Sequence, residues 1–169
     1  MRSVPLPTPL PHVWASASTS TSMPLNNPVK EWESIGVSAC LIGIVSAYDG
    51  KSRCHIDTIR SLRGKLVVPV CPEVQGGLST PRIPAEIVFG LDQVHTQTGL
   101  DVTNAYHLGS DNVLKTLQQA GCERAILKDG SPACGSLTIY DGCFTRTKIS
   151  GKGIATRRLL DAKITVCSE

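Results

Sequence analysis

From Ser34 onward the chain alternates short β-type runs with helical stretches, and that alternation constrains its fold more than any other feature. "SIGVSAC" reads as a β-type run ending at Cys40 and "KLVVPV" as a second, running into Cys71. "RAILK" reads as a third and "ITVCSE" as the last. Between them, "HIDTIRSLRG" sets Ile56, Ile59 and Leu62 at helical spacing before Gly64. "NAYHLGSDNVLKTLQQAG" carries Leu108, Leu114, Leu117 and Ala120 before Gly121, a long helix that Gly109 could split, and "GKGIATRRLLDAK" reads as another helix. Turn residues among alternating apolar positions in "VFGLDQVHTQTGLDV" suit a short hairpin. Strands interleaved with helices imply βαβ units. The expected fold is therefore α/β and three-layered, with a mainly parallel sheet, helices on both faces and a Rossmann-like topology. Aromatics make up only 4% of the chain, so the core must be aliphatic, as a buried parallel sheet prefers.

Residues 1–33 read differently. They are rich in Pro, Ser and Thr and lack strand or helix periodicity, which is the composition of a disordered leader. The segment is free of acids until Glu31, which would suit a transit peptide, and Met23 offers an alternative start. This leaves a single domain over 34–169. No apolar run approaches the ~20 residues that cross a bilayer. A net charge of +3 is too small to argue for a nucleic-acid partner, and Arg157 with Arg158 reads as a solvated helix face. The seven cysteines are odd in number, contain no CxxC pair and follow no secretory signal. They read as reduced thiols in a cytoplasmic setting.

The chemistry collects at the ends of the strands. Ligands of open α/β sheets sit outside the carboxyl ends of the strands. Cys40 follows the first β-type run, Cys71 the second, and Cys134 lies in the loop after "AIL". Three thiols from distant parts of the chain can thus meet at one edge. Their loops, "CLIG", "CPEVQGG" and "SPACG", hold glycines that admit a bulky inorganic group and prolines that fix the turns. Thiolates select zinc, copper(I) or an iron–sulfur cluster, and three without a fourth leave a coordination position open. Strand-end cysteines can equally be buried and inert. A lone catalytic thiol would need a histidine base, and His55, His95 and His107 do not sit in convergent loops.

Taken in order, "VSACLIG", "YDGK", "CPEVQGGLSTPRIPAE", "DVTNAYHLGS", "ILKDGSPACGS" and "YDGCF" resemble the domain-of-unknown-function 523 family, whose characterised relatives are bacterial thiouracil desulfidases. The resemblance covers roughly residues 34–169. It implies a [4Fe-4S] cluster held by Cys40, Cys71 and Cys134, with the fourth iron free to take the sulfur of a small thiolated nucleobase such as 2-thiouracil. It also implies that Glu73 and Ser131 handle protons at the substrate ring. Bottom-up chemistry is compatible with these roles, since a carboxylate can act as general acid or base and a hydroxyl can donate a hydrogen bond. Glu73 could instead be a solvent-facing loop carboxylate, and Ser131 a turn-capping hydroxyl. Tyr48, Asp49 and Lys51 could border the pocket, although Asp49-Gly50 is also a turn. Arg82 could bind an anion or the substrate carbonyl, or pair with Glu86 or Asp101. Lys128 and Asp129 could line the rim. Cys54, Cys122 and Cys143 fall outside the family pattern. Cys167 follows an apolar run near a chain end expected to fray. Were it a fourth ligand, the alternative of a non-catalytic cluster- or metal-binding protein would gain. The remaining alternative drops the metal and makes Cys134 a redox thiol.

Overall fold

The computed structural model describes residues 32–88 and 90–169, and the leader assigned to 1–33 lies outside them but for its last two residues. The centre of the fold is a four-stranded parallel sheet in the order β2-β1-β5-β8. Its strands are β1 (Ser34–Ser38), β2 (Leu66–Val70), β5 (Arg124–Leu127) and β8 (Thr165–Ser168), with Val37 opposite Pro69 on one side and Ile126 on the other. β2 lies at the sheet edge, where Pro69 can sit without costing a ladder bond. The Glu33 carbonyl accepts the Leu66 N–H at 2.9 Å, so pairing begins one residue before β1.

Alternation along the strands feeds two apolar layers. Val70, Ala125 and Leu127 face a core shared with Val113, Leu117 and Leu159. These last three come from α3 (Thr103–Gln119) and α4 (Ile154–Asp161). Ile35 and Val37 face the other side, where Leu41 and Leu62 cover them. Leu62 closes the short α1 (Ile56–Ser61), and Leu41 belongs to a 3-10 turn over Ala39–Ile42. Helical spacing correctly marks α1, but Ile56 and Ile59 are exposed, so only Leu62 of that set reaches the core.

Two antiparallel hairpins complete the fold. β3 (Ala85–Ile87) pairs with β4 (Val94–Thr96); only β4 falls within the stretch 88–102 expected to hold the hairpin, and its partner strand lies just before it. β6 (Thr138–Tyr140) pairs with β7 (Lys148–Ser150), which the sequence does not announce. Gly109 does not split α3. A Cβ there would stand 1.8 Å from the Pro72 carbonyl oxygen, so the glycine is where α3 packs against α2 (Pro72–Gln75). Gly76 serves the same contact from the other side, its Cβ position lying 2.0 Å from the Ala105 carbonyl oxygen. No helix among the described residues is long and apolar enough to cross a membrane.

Candidate active site

Three strand ends deliver the site. After Ser38 the chain enters the 3-10 turn that carries Cys40, and Gly43 closes it with φ +95°. The Cys40 carbonyl accepts the N–H groups of Gly43 and Arg53, so the turn is held from both sides. After β2, Cys71 precedes Pro72 at the first position of α2, where a missing N–H costs nothing. After β5, the loop to Cys134 is fixed by Asp129. Its Oδ1 accepts the N–H groups of Ser136, Leu137 and Thr138 at 3.0–3.1 Å, and its Oδ2 accepts the Thr138 hydroxyl. Burial alone would raise the Asp129 pKa, but those donors together hold it well below the ordinary carboxylate value.

Cys40, Cys71 and Cys134 all line one cavity of about 610 Å³. They also share one electrostatic environment. Burial, and then the neighbouring Cys71, push the Cys40 thiol up to about 11. Burial likewise pushes Cys134 up to about 12, with Cys71 and Cys40 adding to it and a hydrogen bond with Ser38 opposing. A bound cationic metal reverses that repulsion and stabilises thiolates. Among the described residues no three His, Cys, Asp or Glu side chains close on a single metal ion. A cuboidal cluster makes a different demand, because each thiolate takes a separate iron. Three thiols lining one cavity are a donor set whose chemistry fits an iron–sulfur cluster.

Glu73 also lines the cavity. It is not a solvent-facing loop residue: it sits in α2 and is only 9% exposed. Its partner is Arg82, whose side chain is 8% exposed and forms the ion pair directly. Arg82 therefore pairs with neither Glu86 nor Asp101. The chain reverses after α2, where Gly77 N–H reaches the Val74 carbonyl and Leu78 N–H the Glu73 carbonyl, each at 3.0 Å. This brings Arg82 back over Glu73. The guanidinium donates further to the Ser46 and Ser79 carbonyls and the Thr80 hydroxyl.

Ser131 is a cap, and its geometry leaves room for more. Its Oγ accepts the N–H groups of Ala133 and Cys134, both at 3.1 Å. With both lone pairs engaged, the hydroxyl hydrogen is left to donate, and Ser131 lines the cavity. Among the flanking candidates, Tyr48, Arg82, Lys128 and Asp129 line the cavity, while Asp49 and Lys51 do not. Sequence reasoning gave no role to Tyr140 or Phe144, which reach the cavity from the β6–β7 hairpin, and gave Glu86 only a pairing with Arg82. Among the described residues no histidine lines the cavity. His55 Nδ1 contacts the Thr58 hydroxyl at 2.9 Å, and His107 lies 3.8 Å from Asp92.

Cys54 and Cys143 are exposed, and Cys122 is buried in the core. Cys167 does not line the cavity, and the strand holding it is paired: Cys167 stands opposite Ile126 in β5, and the Glu169 side chain accepts from Lys128 and from the Asp129 N–H. Arg157 and Arg158 form ion pairs with Asp92 and Asp111 on the helix surface.

Comparison with known proteins fits this site. The profile of the 2-thiouracil desulfurase family matches residues 35–169. The chain belongs to that family. A solved structure described as a [4Fe-4S]-dependent thiouracil desulfidase, TudS, is 40% identical, with a TM-score of 0.74 over 81% of this chain and 91% of that one. The uncharacterised protein YbbK of Bacillus subtilis (strain 168) is 40% identical over 142 residues, or 79% of this chain and 93% of that protein. The desulfurase family match spans every strand end described above, and the desulfidase likeness agrees with the parallel sheet and its helices.

Proposed function

We propose that this chain is a [4Fe-4S]-dependent desulfidase that converts 2-thiouracil, or a related small thiolated base, to its oxo form. The observation that carries this reading is the convergence of Cys40, Cys71 and Cys134 on one cavity with Glu73 and Ser131 beside them. In this reading the three cysteines hold the cluster, and no fourth cysteine lines the cavity. A cluster held by Cys40, Cys71 and Cys134 would supply Lewis-acid chemistry toward the substrate sulfur.

The chain's own residues supply the rest. Arg82 fixes the Glu73 carboxylate at the cavity wall. From there Glu73 orients the incoming water and takes its proton. Ser131 donates its free hydroxyl hydrogen to the ring, and the two backbone N–H groups it accepts polarise that hydroxyl. Tyr48, Tyr140 and Phe144 line the cavity and bring aromatic residues to where a flat ring would sit. The absence of Cys167 from the cavity wall weighs against a closed four-cysteine module.

The test is anaerobic iron and sulfide content with an absorption spectrum, on wild type and Cys134→Ala, followed by conversion of 2-thiouracil to uracil. A brown wild type with about four irons that loses its colour in the variant supports the reading. A folded but colourless and iron-free wild type overturns it.

A further inference from the structure

A second carboxylate reaches the cavity, and its circumstances differ from those of Glu73. Glu86 sits in β3, is 8% exposed and lines the cavity wall. Among the described residues no Lys, Arg or His stands within ion-pair distance of it; even His95, its register partner on β4, makes no pair with it. Its one donor is the Phe144 backbone N–H, which reaches Oε2 at 3.0 Å. Among the described residues Oε1 takes no hydrogen bond. It is not sealed in either: fully buried side-chain polar atoms without a partner occur on Gln75, Arg82 and Arg157, and Glu86 is not among them. A carboxylate this deeply placed loses much of its hydration and normally finds a cation or several donors. Here one oxygen is anchored by a backbone amide, the other has no partner among the described residues, and the residue lines the cavity.

We infer that Glu86 is the specificity residue that reads a ring N–H of the substrate through Oε1. The inference rests on the thiolated-base reading and deepens it. In 2-thiouracil the carbon–sulfur group lies between two ring N–H groups. A carboxylate that accepts one of them fixes the ring in its own plane and sets the direction of the sulfur. A charge-assisted bond of this kind is stronger than a neutral one. A site built around such an acceptor also rejects analogues that lack the donor, because the buried acceptor is then left unpaired. The Phe144 amide occupies Oε2, which leaves Oε1 to accept from a ligand, and Phe144 lines the same cavity. The selected substrates are thiolated pyrimidines with a free ring N–H next to the carbon that bears sulfur.

The probes are 2-thiouracil and its 1-methyl and 3-methyl derivatives, assayed with the iron-loaded wild type and with Glu86→Gln. The substitution separates two roles. The amide oxygen can still accept from Phe144, which turns an NH₂ toward the cavity and reverses its hydrogen-bonding polarity there. The expected wild-type result is a fall in kcat/KM of about 100-fold or more for one methyl isomer and much less for the other. In E86Q the kcat/KM for 2-thiouracil falls, chiefly through KM, and the ratio between it and the rejected isomer collapses to within a few-fold. Amide hydrogen exchange over 141–147 stays at the wild-type level, which shows the hairpin still anchored. Equilibrium binding of the three probes follows the same order.

Equal treatment of both methyl isomers by the wild type would overturn the inference whatever the variant does. So would an E86Q protein that keeps the full discrimination, or one that loses activity equally on every probe while exchange over 141–147 rises, since Glu86 would then serve only to hold the hairpin. A wild type that neither binds nor converts 2-thiouracil overturns the thiolated-base reading itself.

Discussion

At the scale of single residues, the site depends on two polar groups whose partners differ in kind. Arg82 and Glu73 form a buried ion pair, and such a pair is costly to halve because the survivor stays buried without its counter-charge. Arg82→Ala is expected to lower the unfolding free energy by about 3–5 kcal/mol in denaturant titration, far more than a surface arginine would. Ser131 carries a smaller load. Ser131→Ala removes an acceptor from two N–H groups, a loss of about 1 kcal/mol by analogy with a helix cap. It is expected to bind iron as wild type does while kcat falls about 10²-fold. A variant that retains full turnover would reduce the hydroxyl to its capping role. The cysteines were legible in the sequence because strand ends are chemically predictable places. The Glu73–Arg82 pair was not, because eight residues separate the partners and nothing in the local pattern shows how sharply the chain reverses at Gly76 and Gly77.

At the scale of elements, the contact between α2 and α3 places Cys71 and Glu73. Two opposing effects meet at Gly109. Replacing a mid-helix glycine by alanine ordinarily stabilises by about 1 kcal/mol through backbone entropy. Here the added Cβ would meet the Pro72 carbonyl oxygen at 1.8 Å, a distance neither helix can accept without moving. The steric effect should win. Gly109→Ala is expected to lower stability by about 1–3 kcal/mol and to reduce bound iron, as α2 shifts Cys71 away from the other two cysteines. A stabilised, fully loaded variant would show that α2 yields easily. The elements missed by sequence reasoning are α2, of four residues, and β3 and the β6–β7 pair, of three residues per strand. Such lengths are too short for either periodicity to register. The long α3 was legible, but the sequence left open that Gly109 splits it, because a packing glycine and a helix-breaking one look alike in the pattern.

For the whole molecule, the strand order explains why the thiols meet. The chain runs from β1 outward to β2, then returns past β1 to β5 and on to β8, so the connections leave β1 in opposite directions. A crevice opens at such a reversal, outside the carboxyl ends of the strands, and Cys40, Cys71 and Cys134 follow β1, β2 and β5 there. This much was implicit in the alternation of strands and helices. What locks the crevice is a set of hydrogen bonds that no pattern displays, above all the four that converge on Asp129. They tie the fold to pH in a defined direction. The Asp129 pKa is depressed in the fold, so its contribution is fully present above the unfolded carboxylate value of about 3.9 and is lost as pH falls below it. Asp129→Ala leaves three backbone N–H groups and a hydroxyl without their acceptor, a loss of about 2 kcal/mol at pH 7 given partial access of water. Urea unfolding of wild type and variant, matched for iron content, should show that gap at neutral pH and a steady narrowing between about pH 4 and pH 3. A gap of constant size down to pH 3 would mean that Asp129 holds the Cys134 loop by shape alone, without its charge.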